Sequence, residues 1–386
     1  MAEERVYYDR MIKEYDLAVP MRDGVTLRVD VYRPDAPGKF PVLYTCAMHN
    51  KDLQRVEVAE NLKVGQPAWS TQWYGVIEGA DSKRLVANGY VHVIGQVRGG
   101  HKSEGELGVG DEWDHYDTIE WIGQQPWCDG NVGMSGGSYL GQVQWQAAFT
   151  QHPLLKAIAP RVMGNNLWDS PHYQNGAFGL GVNAVWGWRT MARTMQRIDK
   201  IDWPAVLRTL PLRKMDEVTG KRHPAFSTWL DHHDYDDYWK QRGYAISQYY
   251  DEHADVPTYY MGGWYDSYAR STCENFVELG RRKRSLHKLI MGPWTHGGDT
   301  VTYAGDVDFG PQSKINDLNH FHRVWFDYAL KGEENGIAGW AGLAKKNPVV
   351  AGLFGLFMLS FAGIPLTGGF IGKWAVFTAA WRGGYW

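Results

Sequence analysis

Three residues with the chemistry of acyl transfer each follow an apolar run of this sequence. Ser138 lies in the segment Gly-Gly-Ser-Tyr-Leu-Gly, Asp266 ends Gly-Trp-Tyr-Asp, and His296 ends Gly-Pro-Trp-Thr-His. A serine hydroxyl is a weak nucleophile, so it needs a base to accept its proton and a carboxylate to orient that base. The three residue types together therefore predict nucleophilic attack on a carbonyl group.

The surroundings of Ser138 favour an exposed hydroxyl. A short apolar run precedes this serine, and Leu140, Val143 and Ala147 behind it have helical spacing. A serine on a tight turn between a strand and a helix is held at the top of a sheet, within reach of a substrate. Serine, aspartate and histidine in this order are also the triad order of α/β-hydrolases. The alternative is a turn serine, a capping aspartate and a surface histidine without a catalytic role.

A second serine competes for the role of nucleophile. The segment Gly-Met-Ser-Gly-Gly fits the literal G-x-S-x-G pattern and selects Ser135, whereas Ser138 has Leu140 at the final position. Ser138 directly precedes the helical run and so occupies the turn, while Ser135 would still lie in the strand. Gly136 and Gly137 relax the backbone just before the turn. The context therefore favours Ser138.

The bulk composition is that of a soluble globular protein. The chain has 386 residues, of which 44% are hydrophobic and 22% charged, enough for two or three domains. A net charge of −3 does not favour a nucleic-acid partner. Three cysteines are typical of a reducing compartment, and no apolar signal follows the first residues. We expect a cytoplasmic protein.

The periodicity of the chain predicts a mainly parallel sheet with helices on both faces. Strand patterns occur at 27–32, 41–45, 91–95, 257–261 and 288–291. Residues 114–125 have a helical pattern, with Asp114 as the expected N-cap. Residues 161–252 are rich in Trp, Tyr, Asn, Asp and Arg and show no strand pattern, which indicates a helical insertion, or cap.

The last part of the chain differs from the rest. No charged residue occurs between Lys346 and Lys373, and the apolar run at 349–371 is long enough to span a bilayer. Pro365 and several glycines would kink such a helix, which membrane helices tolerate. The alternative is a buried hairpin of a soluble protein.

The segments around Ser138, Asp266 and His296 resemble those of the CocE/NonD hydrolases, the Xaa-Pro dipeptidyl-peptidase-like or S15 superfamily. Further matching segments lie at 19–24, 98–105, 117–122, 125–130 and 325–332. The resemblance implies an α/β-hydrolase fold with an inserted helical cap. It also implies a serine hydrolase that cleaves an ester or amide through an acyl-enzyme. The family nucleophile is the serine before tyrosine, so Ser138, Asp266 and His296 become the expected catalytic residues.

The resemblance also suggests an oxyanion hole. One donor would be the backbone N–H of Tyr139, directly after the nucleophile. In esterase members a tyrosine hydroxyl is the second donor, and His49 stands at that place here. A neutral imidazole can donate one N–H. The alternative for His49 is a loop histidine at the surface.

The expected partner is a small-molecule ester or amide, without a cofactor or a metal. Members that act on α-amino-acid esters place carboxylates after the triad aspartate, whereas Ser267, Tyr268, Ala269 and Arg270 stand there in this chain. That departure counts against recognition of an amine. The His- and Asp-rich segment 231–237 has metal-ligand chemistry, but the family cap contains similar segments. The basic run 281–284 reads as a solvated face.

Residues 347–373 resemble subunit N of the respiratory NADH–quinone oxidoreductase. The hydrolase family normally continues into a C-terminal β-sandwich of jelly-roll type, and an apolar helical tail stands in its place here. We therefore expect a chimera with four parts: 1–160 and 253–337 as hydrolase core, 161–252 as cap and 338–386 as a membrane-type tail. An inactive hydrolase remnant and a membrane-anchored hydrolase are the alternatives.

Overall fold

An eight-stranded sheet is the centre of the protein. The computed structural model describes residues 7–54, 79–107, 112–194, 198, 200–223, 225–297, 299–315 and 318–333. The strands of the sheet are β1 (Met11–Pro20), β2 (Thr26–Pro34), β3 (Phe40–Ala47), β4 (Val91–Gln96), β5 (Cys128–Gly137), β6 (Leu155–Arg161), β7 (Thr258–Gly263) and β8 (His287–Gly292). Their spatial order is β1-β2-β4-β3-β5-β6-β7-β8. A separate small ribbon pairs β9 (Tyr303–Ala304) with β10 (Val307–Asp308).

The strand directions bring several loops to one edge of the sheet. β1 pairs with β2, and β2 with β4, in antiparallel fashion. From β4 across β3, β5, β6, β7 and β8, every pairing is parallel. The residues that follow these parallel strands therefore meet at the same edge, where α/β proteins bind their ligands. The predicted mixed α/β fold with a mainly parallel central sheet is confirmed.

Helices cover both faces of the sheet, as the periodicity predicts. The described α-helices are α1 (Ser82–Ala87), α2 (Glu112–Gly123), α3 (Tyr139–Phe149), α4 (Leu180–Thr190), α5 (Trp203–Val206), α6 (Met215–Thr219), α7 (Phe226–Asp231), α8 (Ala269–Arg282) and α9 (Leu318–Lys331). Successive strand residues point to opposite faces. Tyr260 of β7 accordingly joins the core under α2, α3 and α8, and Tyr259 joins the core under α1 and α9.

One local prediction is wrong. Helix α2 begins at Glu112, so Asp114 lies inside the first turn and is not the N-cap. The Asp114 carboxylate is buried and accepts a hydrogen bond from Arg98 Nε at 2.9 Å. The Asp114 carboxylate is therefore bonded to an arginine, whereas the side chain of an N-cap would accept hydrogen bonds from the first N–H groups of the helix.

Between β6 and β7 the described chain forms helices and turns but no strand. We call residues 162–257 the helical segment. It contains α4 to α7 and several short turns of helix: Trp168–His172, Gln174–Gly176, Leu212–Lys214, Ile246–Gln248 and Tyr250–Glu252. Its interior is aromatic: the rings of His172 and Trp229 lie 4.3 Å apart, and those of Trp188 and His223 lie 4.6 Å apart. Such rings bury large areas within this segment.

The expected apolar tail, residues 338–386, lies outside the described residues. Chain contacts divide the protein into two units, 1–332 and 333–386, and the elements given above belong to the first. Within the described ranges, no helix combines the length and the apolar character that crossing a membrane requires.

Buried histidines link the stability of the fold to pH. Burial lowers the pKa of His49, His223, His253 and His322 to about 4, and that of His92 and His172 to about 3. These rings are neutral in the folded state at pH 7. In the unfolded chain they take up protons below their ordinary pKa of 6.5. The contribution of these neutral rings to the free energy of unfolding is therefore complete above pH 6.5 and is lost as the pH falls towards 4.

Replacement of His253 by phenylalanine should remove one of these linkages, because phenylalanine takes up no proton. The ring contacts with Trp145 and Phe149 stay possible in this variant. Each such histidine adds a slope of about 1.4 kcal/mol per pH unit to the free energy of unfolding below its unfolded pKa. The free energy of unfolding can be measured with urea at several pH values between about 6.5 and about 5. Its change per pH unit should be smaller by this amount in His253→Phe. The exposed His320, changed to glutamine, is the control for loss of a histidine that is not buried. Equal slopes in His253→Phe and the unmodified protein would contradict the prediction.

Candidate active site

Ser138 occupies the turn between β5 and α3 in a backbone conformation that is unusual for a residue with a side chain. Its φ is 54° and its ψ is −125°. Hydrogen bonds hold this conformation: the Ser138 N–H donates to the Arg161 carbonyl at 2.8 Å, and the Ser138 carbonyl accepts from Gly141 N–H at 2.8 Å. A Cβ at Gly136 would lie 2.4 Å from Leu140 Cβ, so only glycine fits there. A strained turn that its surroundings hold in place is common at functional sites.

The two candidate serines have different environments. Ser135 lies within β5, opposite Ala159 of β6, and is 1% exposed. Ser138 lines a cavity that His296 also lines. The structure therefore places Ser138, and not Ser135, where a substrate can reach it.

The structure brings Ser138, His296 and Asp266 into one hydrogen-bonded chain. His296 Nε2 lies 2.9 Å from Ser138 Oγ, and His296 Nδ1 lies 3.0 Å from Asp266 Oδ2. Because a carboxylate only accepts, Nδ1 carries the proton and donates it towards Asp266. Nε2 is then free of a proton and accepts from the Ser138 hydroxyl. This is the arrangement of a base beside a nucleophile.

Neighbouring turns after β7 and β8 hold the aspartate and the histidine together. The Tyr265 N–H donates to the Trp294 carbonyl at 3.0 Å, and the Trp264 N–H donates to the Gly292 carbonyl at 2.8 Å. The Asp266 side chain is 0% exposed and accepts the Tyr268 N–H at 3.2 Å. The His296 side chain is 40% exposed, so a buried carboxylate orients an imidazole that a substrate can reach.

An apolar cavity of about 400 Å³ opens over Ser138 and His296. Its aromatic wall comes mostly from the helical segment and contains Trp186, Trp229, Tyr238, Trp239, Tyr244 and Tyr268. Among the residues that the structure describes, no Asp, Glu, Lys or Arg lines it. His172 also lines the cavity, and burial lowers the pKa of this histidine to about 3, so it too is neutral at pH 7. Such a cavity suits a neutral apolar group.

His49 follows β3 at the same edge of the sheet. β3 and β5 are parallel neighbours, with Tyr44 opposite Met134, so the loop after β3 lies beside the turn that holds Ser138 and Tyr139. His49 is 7% exposed and is therefore not a surface histidine. Burial, with a smaller effect of the Arg189 cation, lowers the pKa of His49 to about 4. The ring is thus neutral at pH 7 and has one N–H to donate.

A buried lysine fixes the loop that carries His49. Lys51 Nζ is 0% exposed and lies 2.6 Å from a carboxylate oxygen of Asp30 and 2.6 Å from one of Asp16. Asp52 is a third partner at 3.1 Å. Gln96 binds both ends of the loop, because its side chain donates to the Ala47 carbonyl and accepts the Lys51 N–H. No local sequence signal marks this role, since Asp16 and Asp30 are far from Lys51 along the chain.

The three aspartates around Lys51 do not form a convincing cation site. Their carboxylate oxygens lie within 4.8 Å of one another, which is a spacing that a metal could use. The Lys51 ammonium lies among them and offsets one of their three negative charges. Lys102 adds a second ammonium, 3.0 Å from Asp52.

The other charged residues that the sequence offers, in segments 231–237 and 281–284 and at Arg270, do not line the cavity. In the segment 231–237, His232 Nδ1 pairs with Asp236 at 2.6 Å, and no described group of three metal-ligating side chains includes these residues. Arg282, in the basic run, pairs with Glu278 of α8. Arg270, after the aspartate of the site, pairs with Asp169 and with Glu274.

The family of the chain follows from comparison with known proteins. The model of the X-Pro dipeptidyl-peptidase (S15) family matches residues 23–298. The chain belongs to this family. It is 35% identical to the cocaine esterase of Rhodococcus sp. over 350 residues, which are 84% of the chain and 56% of that protein. It is 26% identical to a putative Xaa-Pro dipeptidyl-peptidase of Bacillus anthracis, over 82% of the chain and 51% of that protein.

Solved structures of CocE/NonD type have the same fold. A CocE/NonD family hydrolase from Staphylococcus aureus matches with a TM-score of 0.61 and 25% identity, over 84% of this chain and 51% of that one. An α-amino acid ester hydrolase matches with a TM-score of 0.64 and 22% identity, over 86% of this chain and 56% of that one. The chain thus spans about half the length of the relatives that it matches. The predicted membership of the CocE/NonD and S15 group is confirmed.

The end of the chain matches a different family. The model of the NADH:quinone oxidoreductase/Mrp antiporter transmembrane family matches residues 324–386. Subunit N of the NADH-quinone oxidoreductase of Nocardioides sp. is 54% identical over 55 residues, which are 14% of the chain and 10% of that subunit. The predicted resemblance of the last residues to subunit N is confirmed.

Proposed function

We propose that this chain is a serine hydrolase that cleaves an ester or amide bond through an acyl-enzyme. The observation that carries the proposal is the chain of hydrogen bonds from Ser138 through His296 to Asp266 at the mouth of an apolar cavity. Membership of the S15 family and the esterase among the relatives support the same chemistry.

In the proposed reaction, Ser138 Oγ attacks the substrate carbonyl while His296 Nε2 takes the hydroxyl proton. Asp266 stabilises the imidazolium that forms. The imidazolium then gives its proton to the leaving alcohol or amine, and the acyl group stays on Ser138. Water attacks this ester in the second half, with His296 again accepting the proton. The acid leaves and Ser138 regains its hydroxyl.

The oxyanion of each tetrahedral intermediate needs donors next to Ser138. We assign this role to the backbone N–H of Tyr139, at the start of α3, and to the imidazole N–H of His49. The neutral state of His49 supports the second assignment, because the ring can then donate one hydrogen bond without a net charge. Lys51 and Gln96 would hold the loop in place for this contact.

We also propose the division of the chain that the sequence analysis predicts. Residues 1–160 and 253–337 would form an α/β-hydrolase core, residues 161–252 a helical cap, and residues 338–386 an apolar tail. The aromatic side chains of the helical segment in the cavity wall support the cap assignment. On this view the cap selects the substrate and the edge of the sheet performs the chemistry.

The proposed substrate is neutral and apolar around its scissile bond. An ammonium group in the cavity would lose its water without gaining a carboxylate partner, since no described lining residue is acidic. Arg270, which follows the aspartate of the site, is already paired with Asp169 and Glu274. We therefore favour esters and amides of apolar acids over peptides with a free N-terminal amine.

Replacement of Ser138 by alanine should lower turnover of an activated apolar ester by about 10⁶-fold, on the scale of triad knockouts. A fluorophosphonate probe should label the unmodified protein at Ser138, with peptide mass spectrometry as the readout. Ser135→Ala, in the same strand–turn segment, is the matched control and should still be labelled. If a folded, soluble protein is not labelled at all, the chain is an inactive remnant and the proposal fails.

The role of His49 can be tested by two replacements of similar size. His49→Phe removes the donor and should lower kcat by about 10²- to 10³-fold, with little change in KM. His49→Tyr returns a hydroxyl donor to the loop and should retain more of the rate than His49→Phe does. Equal kcat values for both variants and the unmodified protein would exclude an oxyanion role for His49.

The charge preference can be measured with two esters that differ by one ammonium group. The 4-nitrophenyl esters of 3-phenylpropanoic acid and of phenylalanine share the leaving group and the ring. We expect kcat/KM to be at least about 10²-fold higher for the uncharged ester, because burial of an unpaired ammonium costs several kcal/mol. A preference for the phenylalanine ester would contradict the substrate class while leaving the serine chemistry intact.

A further inference from the structure

Arg161, at the carboxyl end of β6, is a buried cation that the proposed reaction does not use. Arg161 is 4% exposed. In the β5–β6 pairing it lies opposite Gly137, and its carbonyl accepts the Ser138 N–H at 2.8 Å. The backbone of Arg161 is therefore part of the support that holds Ser138 in its unusual conformation.

The side chain of Arg161 contacts the chain segment that carries His296. Its Nη1 lies 3.1 Å from Asp299 Oδ2, and Asp299 is 6% exposed. Asp299 follows His296 by three positions, and its carbonyl accepts the Ile315 N–H at 2.6 Å. The ion pair thus joins β6 to the loop after β8, across β7 in the sheet order.

Gly137 and His322 are near this ion pair. A Cβ at Gly137 would lie 3.0 Å from Arg161 Nε and 3.2 Å from Nη2, so a glycine lets the guanidinium lie against β5. His322 of α9 is buried where both charges of the pair act on it. Its pKa falls to about 4, chiefly through burial and then through Arg161, so it adds no charge at pH 7.

A buried ion pair of this kind is weak evidence for stability. The loss of hydration of two charges offsets much of their attraction, and apolar replacements of both partners are often neutral. Its geometry gives a better explanation. Arg161 supports Ser138 through its carbonyl and the His296 loop through its guanidinium. Ser138 and His296 in turn make the 2.9 Å contact between Oγ and Nε2.

We propose that Arg161 and Asp299 are positioning residues that keep the His296 loop aligned with Ser138 for proton transfer. This inference rests on the proposed function. Without the pair, the His296 loop would keep its contacts with Asp266 and Tyr265 but lose the link from Asp299 to Arg161 of β6. A misplacement of about 1 Å in such a contact can cost about 10²-fold in rate.

Three variants separate positioning from folding. Asp299→Asn keeps the shape and removes the charge. The double variant Arg161→Met/Asp299→Leu leaves no buried unpaired charge, so it should fold. Arg161→Lys keeps the charge but loses the fork of donors. With the 4-nitrophenyl ester of 3-phenylpropanoic acid, we expect kcat to fall by about 10²-fold in the first two, with KM changed less than about two-fold, and Arg161→Lys to retain an intermediate rate.

A second buried carboxylate gives the matched control. Asp327 of α9 is 1% exposed, pairs with Arg323 at 2.9 Å and accepts the Tyr90 hydroxyl. Asp327→Asn should lower stability in urea but leave kcat unchanged. Equal kcat values for Asp299→Asn and Asp327→Asn, or an unmodified kcat in the folded double variant, would overturn the positioning role.

Fluorophosphonate labelling distinguishes this inference from the proposed function. If the unmodified protein is not labelled at Ser138, the proposed function itself is wrong. If it is labelled and the Asp299→Asn variant reacts at the same rate, the hydrolase stands and the ion pair is structural only. A slower reaction of the variant, with labelling still at Ser138, supports the positioning role.

Discussion

The parallel direction of the strands from β4 to β8 is the constraint on which the site depends. It delivers the loops after β3, β5, β7 and β8 to one edge of the sheet. Residues 138, 266 and 296 are far apart along the chain, so local structure alone could not place Ser138 Oγ 2.9 Å and Asp266 Oδ2 3.0 Å from the ring nitrogens of His296. Because these strands belong to one packed sheet, hydrogen bonds every few ångströms set the distances between their ends. A catalytic geometry needs that rigidity.

Among the described residues, the charged side chains near the site are not part of the cavity wall. Lys51, Arg161 and Asp266 are buried and paired with opposite charges or oriented hydrogen bonds, whereas the described cavity wall is uncharged. This separation has a physical consequence. Paired charges fix loops with little effect on what enters the cavity, and a neutral wall lets the few polar groups at its mouth act in a medium with little water.

The chain combines parts that match two unrelated families. Residues 23–298 match a hydrolase family, and residues 324–386 match a family of membrane subunits. Strands β2 to β8 and the candidate site lie within the first match, whereas β1 precedes it and α9 extends into the second. Its relatives are about twice as long as the stretch that they share with this chain. The chemistry proposed here therefore rests on contacts within residues 7–333 alone.

The sequence by itself determined the chemistry-bearing residues, the mainly parallel sheet and the family, because strand periodicity and short motifs are local signals. The literal G-x-S-x-G pattern selects Ser135, while the helical run that follows favours Ser138; the tertiary structure buries Ser135 in β5 and places Ser138 on the turn. The sequence misjudged Asp114 and was silent on Arg161 and Lys51. Their partners are distant in the chain (Asp299 is 138 residues from Arg161), so only folding brings such charges together. Packing determines which charged side chains pair, and the periodicity of the sequence does not indicate these pairs.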